Sequence, residues 1–322
     1  MRFFVYATVV LFSFTLTAQQ RDKRIQIGFY NVENLFDTVH DSHKDDYEFT
    51  PTGKRKWTGD KYWLKQQHLA RVLLGMGEWE GVDVIGLCEV ENNKVLWDLT
   101  RKTHLKGYNF IHHESDDVRG IDVAFLYKKS SFKLLFDTVI KVDLGEGNRP
   151  TRDILYVKGV ADQDTLHFFV NHWSSRWGGK SGSEGKRLLA SQTLRKTIEG
   201  MKDSIPNAQV IVMGDFNDMP NDKSVQIELI EKSKVPLVSL ETSDSQVLGT
   251  IKYQNQWYFF DQLIVSTNTQ QKFSQLFVYD PLWLQTEDLQ YGGETLYRSF
   301  QGDEYIGGYA DHYPVYSYFR LK

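Results

Sequence analysis

Short hydrophobic runs recur along most of the chain, and an acid, an amide or a histidine repeatedly stands at their ends. Ile25–Tyr30, Val82–Leu87, Val123–Tyr127, Leu155–Val160, Leu166–Val170, Val210–Met213, Gln262–Val265 and Tyr313–Tyr318 have the β-branched and aromatic enrichment of strands. Two longer segments follow a helical period. Asp60–Met76 places Tyr62, Leu69, Leu73 and Met76 on one face, and Ser183–Asp203 does the same with Ala190, Leu194, Ile198 and Met201. Segments 37–59 and 283–310 are rich in Gly, Asp and aromatic residues and read as long surface loops, where sites tend to be built. No repeat, low-complexity tract or proline-rich linker divides the rest. Many strands, few helices and no boundary predict one α/β domain built on more than one sheet.

Residues 1–18, MRFFVYATVVLFSFTLTA, have a different pattern. Arg2 supplies a positive start, Phe3 to Leu16 an apolar stretch, and Ala18 a small residue before the polar Gln19, Gln20, Arg21 and Asp22. That is the pattern of a cleaved signal peptide, and the run is shorter than the ~20 apolar residues of a spanning helix. The expectation is an exported protein, secreted or periplasmic, whose single domain occupies residues 19–322.

Composition narrows the class. The chain has 322 residues, 41% hydrophobic, 14% aromatic and 25% charged, proportions that exclude intrinsic disorder, collagen and a disulfide-stapled miniprotein. With 38 Lys+Arg against 42 Asp+Glu, the net charge is −4. No global positive field draws the protein onto nucleic acid, so phosphate binding must be local, through a few cations or a metal. The lone cysteine, Cys88, excludes internal disulfides and any multi-cysteine zinc or iron–sulfur site.

The chemistry gathers at strand ends. Asn31 follows Ile25–Tyr30, Glu89 ends the run Val82–Cys88, and Asn171 and His172 follow Leu166–Val170. Asp215 and Asn217 follow Val210–Gly214, Asp261 heads Gln262–Val265, and Asp311 and His312 precede Tyr313–Tyr318. On its own, Asp215 is an Asx turn, and either histidine alone is an ordinary one. Glu89 is harder to dismiss, because an apolar run rarely ends in an unpartnered acid. If the strands share a sandwich, their ends converge on one rim. Carboxylate and amide oxygens without thiolates are hard ligands that favour Mg²⁺, with Mn²⁺ or Ca²⁺ as substitutes. Glu89 is the first choice of ligand, with Asn31 and Asp311 beside it. A His–Asp pair holds an imidazole in one tautomer and raises its basicity. Asp261 is the candidate partner of His312, and Glu114 that of His172.

The same residues resemble the endonuclease/exonuclease/phosphatase superfamily of deoxyribonuclease I, apurinic endonucleases, sphingomyelinases and inositol-phosphate phosphatases. The resemblance runs in order from Ile25 to Phe319 through IGFYNVENLFD (Asn31), DVIGLCEVEN (Glu89) and HHESDDVRGIDVAFLYKK (Glu114). It continues through RDILYVKG (Arg152), FVNHWSSRWGG (His172), IVMGDFND (Asp215, Asn217), FFDQLIVS (Asp261) and ADHYPVYSYF (Asp311, His312). It implies a four-layer sandwich, two mainly antiparallel sheets face to face with helices outside, and a site at one sheet edge. It also implies that Glu89, Asn31 and Asp311 hold Mg²⁺ and that Asp215 and Asn217 orient water and bind phosphate. His172 and His312 would contact the scissile phosphate, paired with Glu114 and Asp261. Arg152 sits where deoxyribonuclease-like members place a phosphate-binding arginine, and Asn171 and Arg176 are further phosphate candidates.

Two departures bear on substrate. Glu91 stands where deoxyribonuclease I carries a minor-groove arginine, and a carboxylate there is repelled by a phosphate-lined groove. His112 replaces a tyrosine expected nearby. Against these, Ser174-Ser175-Arg176 through Lys180, Lys186 and Arg187 form a basic, glycine-rich segment beyond His172, like that of secreted bacterial nucleases. Its plain alternative is a solvated loop leading into a helix. Lys54, Arg55 and Lys56 with Trp57 offer either a stacking and phosphate platform or an exposed loop. The leading expectation is an exported, Mg²⁺-dependent phosphodiesterase acting on DNA or RNA, a monomer with no protein partner inferred. The alternatives are a phospholipid (sphingomyelinase-like) or sugar-phosphate substrate, with the aromatic stretch Trp283–Tyr309 available to a membrane, and a non-catalytic binding module.

Overall fold

The computed structural model describes residues 23–322, so the expected signal peptide lies outside the described residues. The sheet-forming strands are β1 (Arg24–Leu35), β2 (Val84–Val90), β3 (Tyr108–His112), β4 (Asp122–Lys128), β5 (Lys133–Ile140), β6 (Ile154–Ala161), β7 (Asp164–His172), β8 (Gln209–Asp215), β9 (Leu237–Ser239), β10 (Asp261–Ser266), β11 (Phe277–Val278) and β12 (Val315–Arg320). They form two six-stranded sheets, ordered β11-β12-β1-β2-β4-β3 and β5-β6-β7-β8-β10-β9. Each sheet has one parallel pair, β1–β2 in the first and β7–β8 in the second, and is otherwise antiparallel. A parallel pair needs a long crossover. Helix α1 (Gly59–Met76) supplies it in the first sheet and α3 (Lys180–Lys202) in the second.

Strand alternation builds the layers. Ile27 and Phe29 of β1, Phe125 of β4, Phe168 and Val170 of β7 and Leu263 of β10 point between the sheets into one core. Tyr30, Ile85, Leu87 and Leu126 point outward onto Leu69 and Leu73 of α1. Phe169 and Val212 point the other way onto Leu194 and Ile198 of α3. Helix, sheet, sheet, helix is the four-layer α/β sandwich expected. The sheets pack tightly at Gly86, where an added Cβ would lie 2.6 Å from Met213 Sδ and 3.0 Å from Val170 Cγ1. Any larger residue there has to push them apart.

The expected strands and both long helices are present, most with extended ends, although β2 starts at Val84 where Val82 was expected and α3 stops at Lys202 where Asp203 was expected. Tyr313 was expected to open the last strand, but β12 begins at Val315. Pro314 has no N–H to give the ladder. Helix α2 (Asn93–Arg101) is too short, at nine residues, to stand out from the sequence, and is started by the Asn92 side chain accepting from Lys94 N and Val95 N. Trp57 is no surface platform. It is 1% exposed, donates from Nε1 to Phe36 O (3.0 Å), and packs on Phe49, Phe300 and Tyr305. Lys54 pairs with Asp303 and Arg55 with Glu48. Segment 283–310 folds into two small hairpins, Gln285–Glu287 with Glu294–Leu296 and Phe300–Gln301 with Glu304–Tyr305. Its Trp283, Tyr297 and Tyr305 turn inward onto the α1 side of the core. Among the described residues, no helix is long and apolar enough to cross a membrane.

Candidate active site

Topology alone gathers the expected residues. Parallel strands β1, β2, β7 and β8 all end at one edge of the sandwich, and β10 and β12, antiparallel to their neighbours, begin there. Register then sets a row across the second sheet. His172 pairs with Asp215 between β7 and β8, and Asp215 with Asp261 between β8 and β10. Directly paired residues share a face, so the three side chains stand side by side, level with the inter-sheet core.

The first sheet contributes through irregular backbone. The β2–β4 register shifts between Cys88 and Val90, leaving Glu89 as an extra residue with φ of 62°. A bulge of this kind re-aims a side chain. Glu89 Oε2 accepts from Asn34 N (2.8 Å), while Oε1 faces Asn31 Nδ2 (3.4 Å). Asn31 Nδ2 also donates to Asp215 Oδ2 (3.1 Å) and so joins the two sheets. Glu33, Asn34 and Asn217 likewise hold positive φ. Non-glycine residues in this region cost of order 1–3 kcal/mol each and cluster at functional sites.

The two histidines have different surroundings. His312 Nδ1 lies 2.7 Å from Asp261 Oδ2, and its Nε2 3.8 Å from Asp215 Oδ2. Burial disfavours its charge, but Asp261 and Asp215 outweigh burial and hold the imidazolium up to about 10. His172 presents Nε2 to Asp215 (3.7 Å) and Glu89 (3.9 Å), and its Nδ1 is buried without a partner. Burial, then Arg152 and Arg119, push it well below the ordinary histidine value. The expected His172–Glu114 pair therefore does not form. Glu114 is exposed and sits with His112 and Asp122. Alternation explains this, because His112 and Asp122 share the outward face of Ala124 whereas His172 points between the sheets.

Asp215 is buried, which raises its carboxyl above the usual range. Its Oδ1 accepts from Asn217 N (2.9 Å). Asn217 Nδ2 donates to Trp173 O (3.2 Å), which also receives Arg152 Nη2 (2.7 Å), while Arg152 Nη1 reaches Asp117 (3.3 Å). Asp311 accepts from Arg298 Nη2 (2.8 Å), and Arg298 holds its carboxyl below the usual range despite burial. Arg298 Nε also donates to Glu33 (3.1 Å), and Glu33 receives Ser299 N (2.7 Å). The buried Lys65, which donates to Ser299 Oγ (2.8 Å), closes this cluster behind the rim. Sequence reasoning missed Glu33, Lys65 and Arg298, although the Glu33 signal lay two residues beyond Asn31.

Three further candidates are corrected. Asn171 is fully buried, with Nδ2 on Phe169 O and Met213 O and Oδ1 on Trp173 Nε1, so nothing is left for phosphate. Arg176 donates to Asn217 O (2.8 Å), Asp218 (3.1 Å) and Asp222 (2.6 Å). Its charge is spent fixing the Asp215–Asp218 loop, aided by the buried Arg187 on Asp218 (2.7 Å). Much of the basic segment is thus a brace for that loop. Glu91 is 7% exposed on the α1 side, accepts from Asp37 N, and is raised by burial to about 8. It is no repelling charge on a substrate path.

The donor set suits a divalent ion. Glu89 Oε1, Asn31 Oδ1, which also accepts from Glu33 N (3.0 Å), and the second Asp311 oxygen are the hard oxygen atoms that could hold one. Cys88 Sγ also comes within 4.8 Å of His172 and Asp215 ligand atoms, but burial raises the thiol so that it stays protonated. Beside the rim runs a groove of about 710 Å³ lined by Arg119, Arg149, Arg152 and Lys186, with Trp177 91% exposed at its edge.

A two-sheet α/β sandwich with acids, amides and imidazoles on one rim is an arrangement able to hydrolyse phosphate esters with a divalent ion. A sequence profile of the endonuclease/exonuclease/phosphatase family matches residues 26–321, so the chain belongs to that family of metal-dependent phosphoric ester hydrolases. No curated protein matches the sequence. Among solved structures, the fold is similar to truncated Caenorhabditis elegans TDP2, at TM-score 0.59 and 13% identity over 92% of this chain and 98% of that one. It is similar to an endonuclease/exonuclease/phosphatase family protein from Bacteroides thetaiotaomicron, at TM-score 0.58 and 16% identity over 93% and 99%. The mannosyl-6-phosphatase Bt3783 of the same organism gives TM-score 0.57 and 15% identity over 91% and 98%.

Proposed function

We propose that the chain is an exported, Mg²⁺-dependent phosphodiesterase acting on nucleic acid. The observation that carries the substrate choice is the groove beside His172. Arg119, Arg149 and Lys186 line it, the buried Arg152 lies in its wall paired with Asp117, and Trp177 stands at its edge. A row of cations next to an exposed indole suits a phosphate chain whose bases stack, and does not need a positive protein. Export rests on the pattern of residues 1–18.

In this reading Glu89, with Asn31 and Asp311, holds the divalent ion, which when bound neutralises charge on the non-bridging phosphate oxygens. Asp215 takes the proton of the attacking water, and Asn217 binds a phosphate oxygen. Protonated His312, held by Asp261, stabilises the developing negative charge. Neutral His172 donates or accepts one hydrogen bond at the same phosphate, and Arg152 supports it from the groove side.

The test is hydrolysis of single-stranded DNA and RNA compared with a sugar phosphate and sphingomyelin vesicles, in Mg²⁺ with and without chelator. Fastest turnover of the nucleic acid, abolished by chelator and restored by Mg²⁺, is expected. Faster release of phosphate from the sugar, or cleavage indifferent to chelator, would overturn the reading.

A further inference from the structure

The outward face of the first sheet carries a second cluster that the catalytic rim does not use. His112 ends β3 and Asp122 begins β4 beside it, and Glu114 follows in the connection between them. One ligand atom from each lies within 4.8 Å of the others. The His112 side chain is wholly buried and Asp122 is 1% exposed, yet both ring nitrogens of His112 and Oδ2 of Asp122 make no hydrogen bond. Those two groups approach only to 3.5 Å. The other Asp122 oxygen accepts from Ser115 N (3.1 Å). Buried polar atoms are nearly always satisfied, and leaving one unpaired costs about 1–3 kcal/mol. One imidazole nitrogen of His112 and Oδ2 of Asp122, both buried and unpaired, with a Glu114 oxygen in the same group, therefore offer a set of ligand atoms for a cation.

The surroundings agree. Glu114 opens onto a cleft of about 180 Å³ lined also by Asp37, Asp41 and Glu91, from which an ion can approach its carboxylate. Lys44 also lines the cleft, but its Nζ is committed to the carbonyls of Ser115 (2.7 Å) and Asp117 (2.9 Å).

We propose that His112, Glu114 and Asp122 form a second divalent-metal site, binding through one imidazole nitrogen and two carboxylate oxygens, with its fourth position open to the cleft. The nitrogen donor selects a transition ion such as Zn²⁺ over Mg²⁺. The ion ties β3 to β4 across the connection that carries Asp117, the partner of Arg152, and Arg119 of the groove. Its role is to fix that connection, and it takes no part in the hydrolysis.

Equilibrium dialysis of the full chain against Zn²⁺, with elemental analysis, tests the site. A Glu89→Gln/His172→Ala background removes a ligand atom from each group at the catalytic rim and separates the two centres. One zinc per chain is expected in that background. It should be lost on adding His112→Asn and weakened by at least ~10-fold on adding Glu114→Gln, and zinc should raise the melting temperature only while the cluster is intact. Glu114 is exposed, so that variant decides the matter even if His112→Asn fails to fold. Zinc affinity unchanged in Glu114→Gln, or equal affinity for Mg²⁺ at this site, would overturn the proposal.

Discussion

His172 and His312 face the same carboxylate, Asp215, at 3.7 and 3.8 Å, yet one is held neutral and the other charged. The difference lies behind each ring. Asp261 stands at 2.7 Å from Nδ1 of His312, whereas Nδ1 of His172 has no partner and Arg152 and Arg119 lie nearby. Two identical side chains are thus prepared for two tasks by what they turn their backs on, a pattern that separates acid, base and hydrogen-bonding roles within one site.

The strongest way to break the comparison is His312→Ala, which removes the charged member. The turnover rate should fall by ~10³-fold, within the ~10²–10⁴ range for positioned acid–base groups. His172→Ala should lose less, ~10²-fold, because a neutral hydrogen bond is removed. Equal losses in steady-state assays would erase the distinction. Asp261→Asn should cost ~10-fold and bring the His312 titration, followed by nitrogen NMR, down from about 10. The weakest effect is expected for Glu114→Gln, less than about 3-fold in rate, since that residue does not support His172.

Stability should show the same contrast with opposite signs. His312 has a raised value in the folded chain, so its contribution is full below ~6.5, the unfolded histidine value, and is lost as pH rises towards about 10. His172 is lowered, so its contribution is present above ~6.5 and is lost as pH falls below it. Urea midpoints measured with chelator across pH 5–10 should lose their alkaline slope in His312→Ala and part of their acid slope in His172→Ala. The same slope change in both variants would sink this assignment.

Much of this was legible in the chain. Strand ends bearing Asn31, Glu89, His172, Asp215, Asp261 and His312 reach one rim because parallel strands finish where their antiparallel neighbours start. The pairing of His312 with Asp261 was also readable, one residue from each of two strand ends. What failed was facing direction. Glu114 follows β3 by two residues, and nothing in its local pattern tells which side of the sheet it serves. Arg176 and Arg187 have the right chemistry near the right place, but their acid partner Asp218 is distant in sequence, and Asn171 is committed to Phe169 O, Trp173 Nε1 and Met213 O only once the strands pair. Glu33 and Arg298, 265 positions apart, could not be paired from spacing at all.

The ranks that hold His172, Asp215 and Asp261 abreast are written in backbone hydrogen bonds. Sliding either interface by one position would turn a reactive group away from its neighbours and turn the apolar residues of that strand out with it. Gradual drift of the chemistry is therefore closed to this architecture, whereas the segments bordering the groove can lengthen, shorten or change charge without disturbing it. Diversification of targets in such a scaffold has to proceed from the edges, over a reactive centre that is inherited whole.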